Sequence, residues 1–257
     1  MGSEMCISDI GIIFPTSDEY PNRLKEEQIV PFITHTSDYA YTADELLPFY
    51  ADKQLSLLML VNPDNQSGHL LPKDDVLKLA KWCEGNGIRL LVDESFVDFT
   101  DEYEHNSLLH NDILIANKSL MVMKSISKSY GVPGLRLGVF ASGDTAMISA
   151  IKKQVSIWNI NSFAEYYMQI YGKYEEDYRI ACRKFCEVRR KFYEDLQQIS
   201  YLRVMPSQAN YFLCEVMDKF TSAELCERLI EHDIVISNCG RKKHMDGRNL
   251  IRLAVRD

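Results

Sequence analysis

The sequence predicts an α/β protein, with a mostly parallel sheet covered by helices on both faces and a small α+β domain after it. Three observations carry this. Short apolar runs are continuous rather than alternating, amphipathic helical stretches lie between them, and the pattern changes near Ser162. Continuous apolar strands belong to sheets buried on both faces, which are mostly parallel because helical crossovers cover them. We divide the chain into a larger domain over 1–162 and an interdomain helix with a small carboxy-terminal domain over 163–257.

Each element has a local reason. Ile10 to Phe14 is a strand closed by Pro15, and Leu57 to Val61 is a second, ended by Asn62-Pro63. A helix opens at Leu71-Pro72, takes Val76, Leu77, Leu79, Ala80 and Cys83 as apolar positions, and stops at Gly85 and Gly87. Ile88 to Val92, Leu120 to Met123 and Leu135 to Phe140 are further strands. Phe163 to Ile199 is a long helical stretch rich in Tyr, Lys, Arg and Glu, with Gly172 as the point for a kink. Strands follow at Tyr201 to Met205 and Tyr211 to Val216. Thr221 and Glu224 form a capping box that opens a helix through Leu229. Ile234 to Ser237 and Leu250 to Val255 close the series.

Composition excludes several classes. Of 257 residues, 46% are apolar and 26% charged, which suits a folded globular chain and not a disordered or fibrous one. The formal charge of −8 disfavours nucleic acid as a partner, because that affinity comes mostly from neutralising phosphates. No apolar run approaches the roughly 20 residues that span a bilayer, and Met1 to Met5 lacks the pattern of a secretory signal. The reading is a soluble, intracellular, cytoplasmic protein without a membrane partner. Seven scattered cysteines include no C-x-x-C pair, so reduced and mostly buried thiols are expected. The histidines lack zinc spacing, and no metal is expected.

In such sheets ligands collect at the carboxyl ends of strands. Three segments stand there: Asn62 to Gly68, Asp93-Glu94, and Ser125 to Lys128. A lone lysine past a strand is ordinarily a solvated charge. Lys128, however, is preceded by Ser125 and Ser127 and followed by Gly131, Gly134, Arg136 and Gly138. Hydroxyls, backbone amides and an arginine make a phosphate cup. An amine beside such a cup suits a Schiff base with a phosphorylated aldehyde. Asp93 ends a buried strand, where a carboxylate needs a partner. It either caps or pairs with an arginine, or it holds a pyridinium nitrogen. Asn62 to Gly68 is by itself a turn, and it can also aim the Asn65 amide at a ring oxygen.

The order Asn62-Pro63-Asp64-Asn65-Gln66-Ser67-Gly68, then Asp93-Glu94-Ser95-Phe96, then Ser125-Ile126-Ser127-Lys128, then Gly131 to Gly138 resembles the fold-type I aminotransferases that use pyridoxal 5'-phosphate. The histidinol-phosphate aminotransferase and threonine-phosphate decarboxylase branch is the most similar. The resemblance implies that Lys128 forms the Schiff base and shuttles the substrate's proton. It implies that Asp93 holds the pyridinium nitrogen, that Asn65 bonds the ring oxygen, and that Ser125, Ser127 and Arg136 bind the phosphate. Arg252, in Asn249 to Val255, matches the arginine that clamps a substrate carboxylate, a task its planar fork suits. Otherwise it is a surface arginine among apolar residues. Asn161, in Trp158 to Ser162, matches a residue facing the substrate.

The expected activity is therefore transamination between an amino acid and a 2-oxo acid or phosphorylated ketone. Amino-acid decarboxylation on the same scaffold, or a non-catalytic domain, are the alternatives. The family pattern also implies a homodimer and a longer part before Ile10, which makes the large domain amino-terminally incomplete. Gly2-Ser3-Glu4 is similar to the family's phosphate loop only in composition. Two departures stand out. Ser17 takes the place of an aromatic that stacks on the pyridine ring, and Phe96 takes the place of a common tyrosine. Gly240 to His244 is a basic cluster, read either as a solvated loop or as a greeting for an anionic substrate.

Overall fold

Alternating strands and helices build a six-stranded sheet in a computed structural model that describes residues 9–218, 220–245 and 247–256. Gly2-Ser3-Glu4 and Cys6 lie outside the described residues. The elements are β1 (Asp9–Phe14), β2 (Ile29–Ile33), α1 (Ala43–Tyr50), β3 (Leu55–Val61), α2 (Lys73–Gly85) and β4 (Arg89–Asp93). There follow α3 (Tyr103–Asn106), α4 (Asn111–Ala116), β5 (Leu120–Ser125), α5 (Ile126–Ser129), β6 (Gly138–Ser142) and α6 (Thr145–Gln154). The sheet order is β2-β1-β3-β4-β5-β6. All pairs are parallel except β5 with β6. Leu46, Leu58, Leu60, Leu79, Leu90, Val92, Leu120 and Val122 are buried in one core between the sheet and its helices. Each such side chain contributes about 1.5–3 kcal/mol by leaving water.

The rest of the chain forms α7 (Ser162–Tyr171), α8 (Glu175–Gln197), β7 (Leu202–Val204), β8 (Tyr211–Val216), α9 (Ser222–Ile230), β9 (Ser237–Asn238) and β10 (Leu250–Ala254). Its sheet is antiparallel, in the order β7-β8-β10-β9. Phe212, Cys214, Leu225 and Ile251 form its core with α8 and α9. The capping box at Thr221 forms as expected, its hydroxyl accepting from Glu224 N at 3.2 Å.

Several elements differ from expectation. The run Leu135 to Phe140 is not one strand. Pro133–Leu135 is a 3-10 turn, and β6 starts only at Gly138 and runs antiparallel. The long helix breaks rather than kinks. Gly172 caps α7, and Glu175, Glu176 and Asp177 start α8 with favourable charge for a helix amino-terminus. The strand expected at Ile234 to Ser237 shrinks to Ser237–Asn238. β2 and α1 were not foreseen. β2 carries Pro31, tolerated because β2 is an edge strand. α1 holds Pro48 inside the helix, and a Thr42–Glu45 capping box opens it.

An apolar face flanks β6. Val139 and Phe140 are exposed on this edge strand, and Trp158 and Phe163 are 91% and 81% exposed. Among the described residues no helix is long and apolar enough to cross a membrane.

Candidate active site

The site lies where β3, β4 and β5 end. Parallel register sets Val61 beside Asp93 and Asp93 beside Met123, so the three following loops emerge together. β10 of the second sheet closes the site with Arg252.

Both carboxylate oxygens of Asp93 accept hydrogen bonds. Its Oδ1 accepts from Ser95 N at 2.9 Å and from the Ser95 hydroxyl. Its Oδ2 accepts from the Tyr20 hydroxyl. The Ser95 oxygen in turn accepts from Ser125 N at 2.8 Å, which ties β4 to β5. Tyr20 matches a later tyrosine of the family motif but receives no role from the sequence, since it lies 73 residues from Asp93. Burial, reinforced by Asp93, pushes the Tyr20 phenol far up, so it remains a donor at any physiological pH. Tyr20→Phe should cost about 1.5–3 kcal/mol in the protein without cofactor, since it removes a donor from a buried carboxylate. Urea denaturation measures this.

Lys128 sits on the short helix α5. Its Nζ lies 3.8 Å from the centroid of the Phe96 ring. Desolvation lowers its pKa below the ordinary lysine value; Asp93 opposes this and Arg252 adds to it. A larger neutral fraction is what a nucleophilic amine needs. Phe96, the residue in the tyrosine's place, thus forms one wall of the amine's pocket, with Tyr211 edge-on to it at 5.5 Å.

The Asn65 loop is held from below and from the second sheet. Asp64 is buried, and its Oδ1 accepts from Gln66 N, Ser67 N and the Ser67 hydroxyl at 2.9, 2.8 and 2.9 Å. Tyr211 donates to the Asp64 carbonyl at 2.6 Å, Gln208 N to the Gly68 carbonyl at 2.8 Å, and Arg252 Nη1 to the Asn65 carbonyl at 3.0 Å. Gly68 has φ +75°, and a Cβ there would fall 1.9 Å from Ser207 Oγ, so only glycine permits this approach. The Arg252 guanidinium also lies 4.8 Å from the Tyr211 ring centroid.

The structure thus gathers Asn65, Asp93, Ser125, Lys128 and Arg252. Ser127 is buried, and its hydroxyl has no hydrogen-bond partner among the described residues. Arg136 is exposed in a left-handed conformation, φ 55°, that few non-glycine residues adopt. Its Nη1 reaches the Pro133 carbonyl at 3.4 Å. Asn161 caps α7 instead, accepting from Ala164 N at 3.0 Å and donating to Leu135 O at 3.0 Å. In the basic cluster, Lys242 pairs with Asp18 at 3.0 Å and Lys243 with Glu26 at 3.4 Å, which accounts for two of its cations.

These residues fit pyridoxal phosphate. An orphaned buried serine hydroxyl and an exposed arginine suit a phosphate, a buried carboxylate suits a pyridinium, and a desolvated amine suits an aldehyde. Ser17 offers no ring to stack on the cofactor, and Tyr20 is committed to Asp93.

Fold and site define a pyridoxal-phosphate-dependent enzyme class of fold type I. The chain belongs to the aminotransferase class I and II family, whose family model matches residues 8–256. It is 31% identical to the threonine-phosphate decarboxylase of Salmonella typhimurium over 79% of this chain and 54% of that protein. It is 26% identical to the histidinol-phosphate aminotransferase of Ruminiclostridium cellulolyticum over 82% of this chain and 59% of that one. The chain therefore spans little more than half the length of these curated relatives. A decarboxylase structure from Sulfurospirillum multivorans superposes with a TM-score of 0.87 at 26% identity, covering 97% of this chain and 72% of that one.

Proposed function

We propose that this chain transfers an amino group between an amino acid and a 2-oxo acid or phosphorylated ketone, with pyridoxal phosphate held covalently by Lys128. Asp93 would hold the ring nitrogen, Asn65 the ring oxygen, and Ser125, Ser127 and Arg136 the phosphate. The cofactor supplies an electron sink for charge developing on the substrate's Cα. Lys128 Nζ is the base that takes the proton from Cα and returns it. Arg252 binds the substrate carboxylate with its planar fork.

The observation that carries this reading is the Arg252–Asn65 contact of 3.0 Å. It sets the carboxylate clamp beside the residue assigned to the ring's edge. Arg252 would bind the substrate carboxylate beside the group that Asn65 would hold, leaving the Cα proton to Lys128. A second reading, decarboxylation, is favoured by the decarboxylases among the relatives. There Arg252 would hold a substrate's phosphate, and the unclamped carboxylate would be the group lost as carbon dioxide. A phosphorylated substrate is compatible with both readings, and the relatives' names carry a phosphate.

Incubation with pyridoxal phosphate and carboxyl-labelled O-phosphoamino acids distinguishes them. Oxo-acid formation with the label retained supports transamination. Labelled carbon dioxide with an amine product supports decarboxylation. Neither product from a cofactor-loaded protein, with these or with unphosphorylated amino acids, overturns both. We further propose a homodimer through the apolar face at β6, Trp158 and Phe163, which sedimentation tests as a mass twice that of the chain.

A further inference from the structure

We propose that the buried Lys124–Asp98 ion pair is a positioning clamp for Lys128, locking the end of β5 and helix α5 against the segment that follows Asp93. The proposal rests on Lys128 being the reactive amine. Side chains alternate along β5. Met123 points toward the site, its sulfur 4.0 Å from the Tyr20 hydroxyl, so Lys124 points the other way, behind the site. There Lys124 Nζ meets Asp98 Oδ1 at 2.7 Å, the two side chains being 9% and 2% exposed. Asp98 follows Asp93 by five residues, in the turn Val97–Phe99, and Lys124 precedes Lys128 by four. One bond therefore joins the two loops that carry Asp93 and Lys128.

The surroundings make this pair unusual. Glu94 is a second buried carboxylate in the same field, 1% exposed, and is bound by the Ser107 hydroxyl and Leu108 N at 2.8 Å each. One ammonium thus faces two buried carboxylates. Asp98 Oδ2 is buried without a hydrogen bond. From α8, Tyr178 and Cys182 face Asp98, as do Tyr130 and Tyr171. Tyr130, the residue after α5, stacks on Tyr178 at 4.3 Å and 2°, anchoring the far end of the lysine's helix. Buried ion pairs seldom stabilise a fold more than apolar residues of the same volume. What a buried pair adds is a unique geometry, and here that geometry holds the Lys128 amine over Phe96. The charged groups facing Lys128 itself are Asp93 from β4 and Arg252 from β10.

The test reads the amine directly in the protein without cofactor, so it decides even if no enzymatic activity is found. Trace acetylation with acetic anhydride across a pH series, read by mass spectrometry, gives the Lys128 midpoint, with exposed Lys81 as internal reference. The variant is Lys124→Met with Asp98→Leu, which conserves net charge and bulk. The folded variant should show a Lys128 midpoint higher by about one pH unit, a tenfold smaller neutral fraction, because the freed amine regains water. If the double variant does not fold, Lys124→Arg, which keeps the charge but changes the reach, should move the midpoint the same way by less. A midpoint equal to wild type in the folded variant overturns the proposal and leaves the pair a purely structural contact.

Discussion

Replacing Lys128 by alanine should leave the fold intact, abolish the visible band that the protein forms with pyridoxal phosphate, and lower turnover by about 10²–10⁴-fold, the range for a positioned acid–base group. The fold should survive because Lys128, although its amine is held over Phe96, is exposed as a residue and fills no core. Its contact over Phe96 is worth about 0.5–1 kcal/mol. Loss of a desolvated amine offsets part of that. Spectral titration with the cofactor beside a thermal melt separates the two effects. A band of equal intensity in the variant would mean that another lysine holds the cofactor, and the assignment of Lys128 would fall.

Asp64→Asn should stabilise the protein above neutral pH and do little in acid. Asp64 is 4% exposed, and no cation pairs with it among the described residues. Burial pushes its carboxyl up to about 6 from the ordinary 3.8, against the pull of its backbone bonds to Ser67 and Gln66. A folded-state pKa raised above the unfolded value gives stability that is full below the unfolded pKa and is lost as pH rises through the folded one. The folded chain therefore weakens between about pH 4 and 6 on this account. By alkaline pH the penalty is about 3 kcal/mol. Asparagine keeps the oxygen that accepts from Ser67 and Gln66 and carries no charge. Urea denaturation at acid and alkaline pH should show the variant's advantage growing with pH, toward that ceiling. An advantage independent of pH would show that the carboxylate is already neutral or solvated.

Much of this was legible in the chain. The strands β1, β3, β4, β5, β8 and β10 follow from continuous apolar runs, and α9 from its capping box. The motif order gave the gathering of Asn65, Asp93, Lys128 and Arg252. What escaped was set by distance along the chain. Tyr20 finds Asp93 across 73 residues, and Lys242 finds Asp18 across 224, so a cluster that looks cationic in sequence is part of a bridge between the two sheets. β6 was misplaced because Pro133 and Arg136 turn the chain before its apolar residues can pair. β2 was hidden by Pro31, a residue that argues against a strand unless the strand is known to be an edge.

The two edges of the six-stranded sheet have opposite colloidal consequences. At β2, Pro31 removes a donor from the rim, so an incoming strand meets a gap in the ladder. At β6 there is no proline, and Val139 and Phe140 stand outward beside peptide groups open to pairing. That rim is a template for strand addition between molecules. A net charge of −8 keeps molecules apart at low ionic strength, and salt screens it within about 10 Å. Added salt is therefore expected to expose the β6 edge to pairing between molecules, which light scattering across a salt series measures.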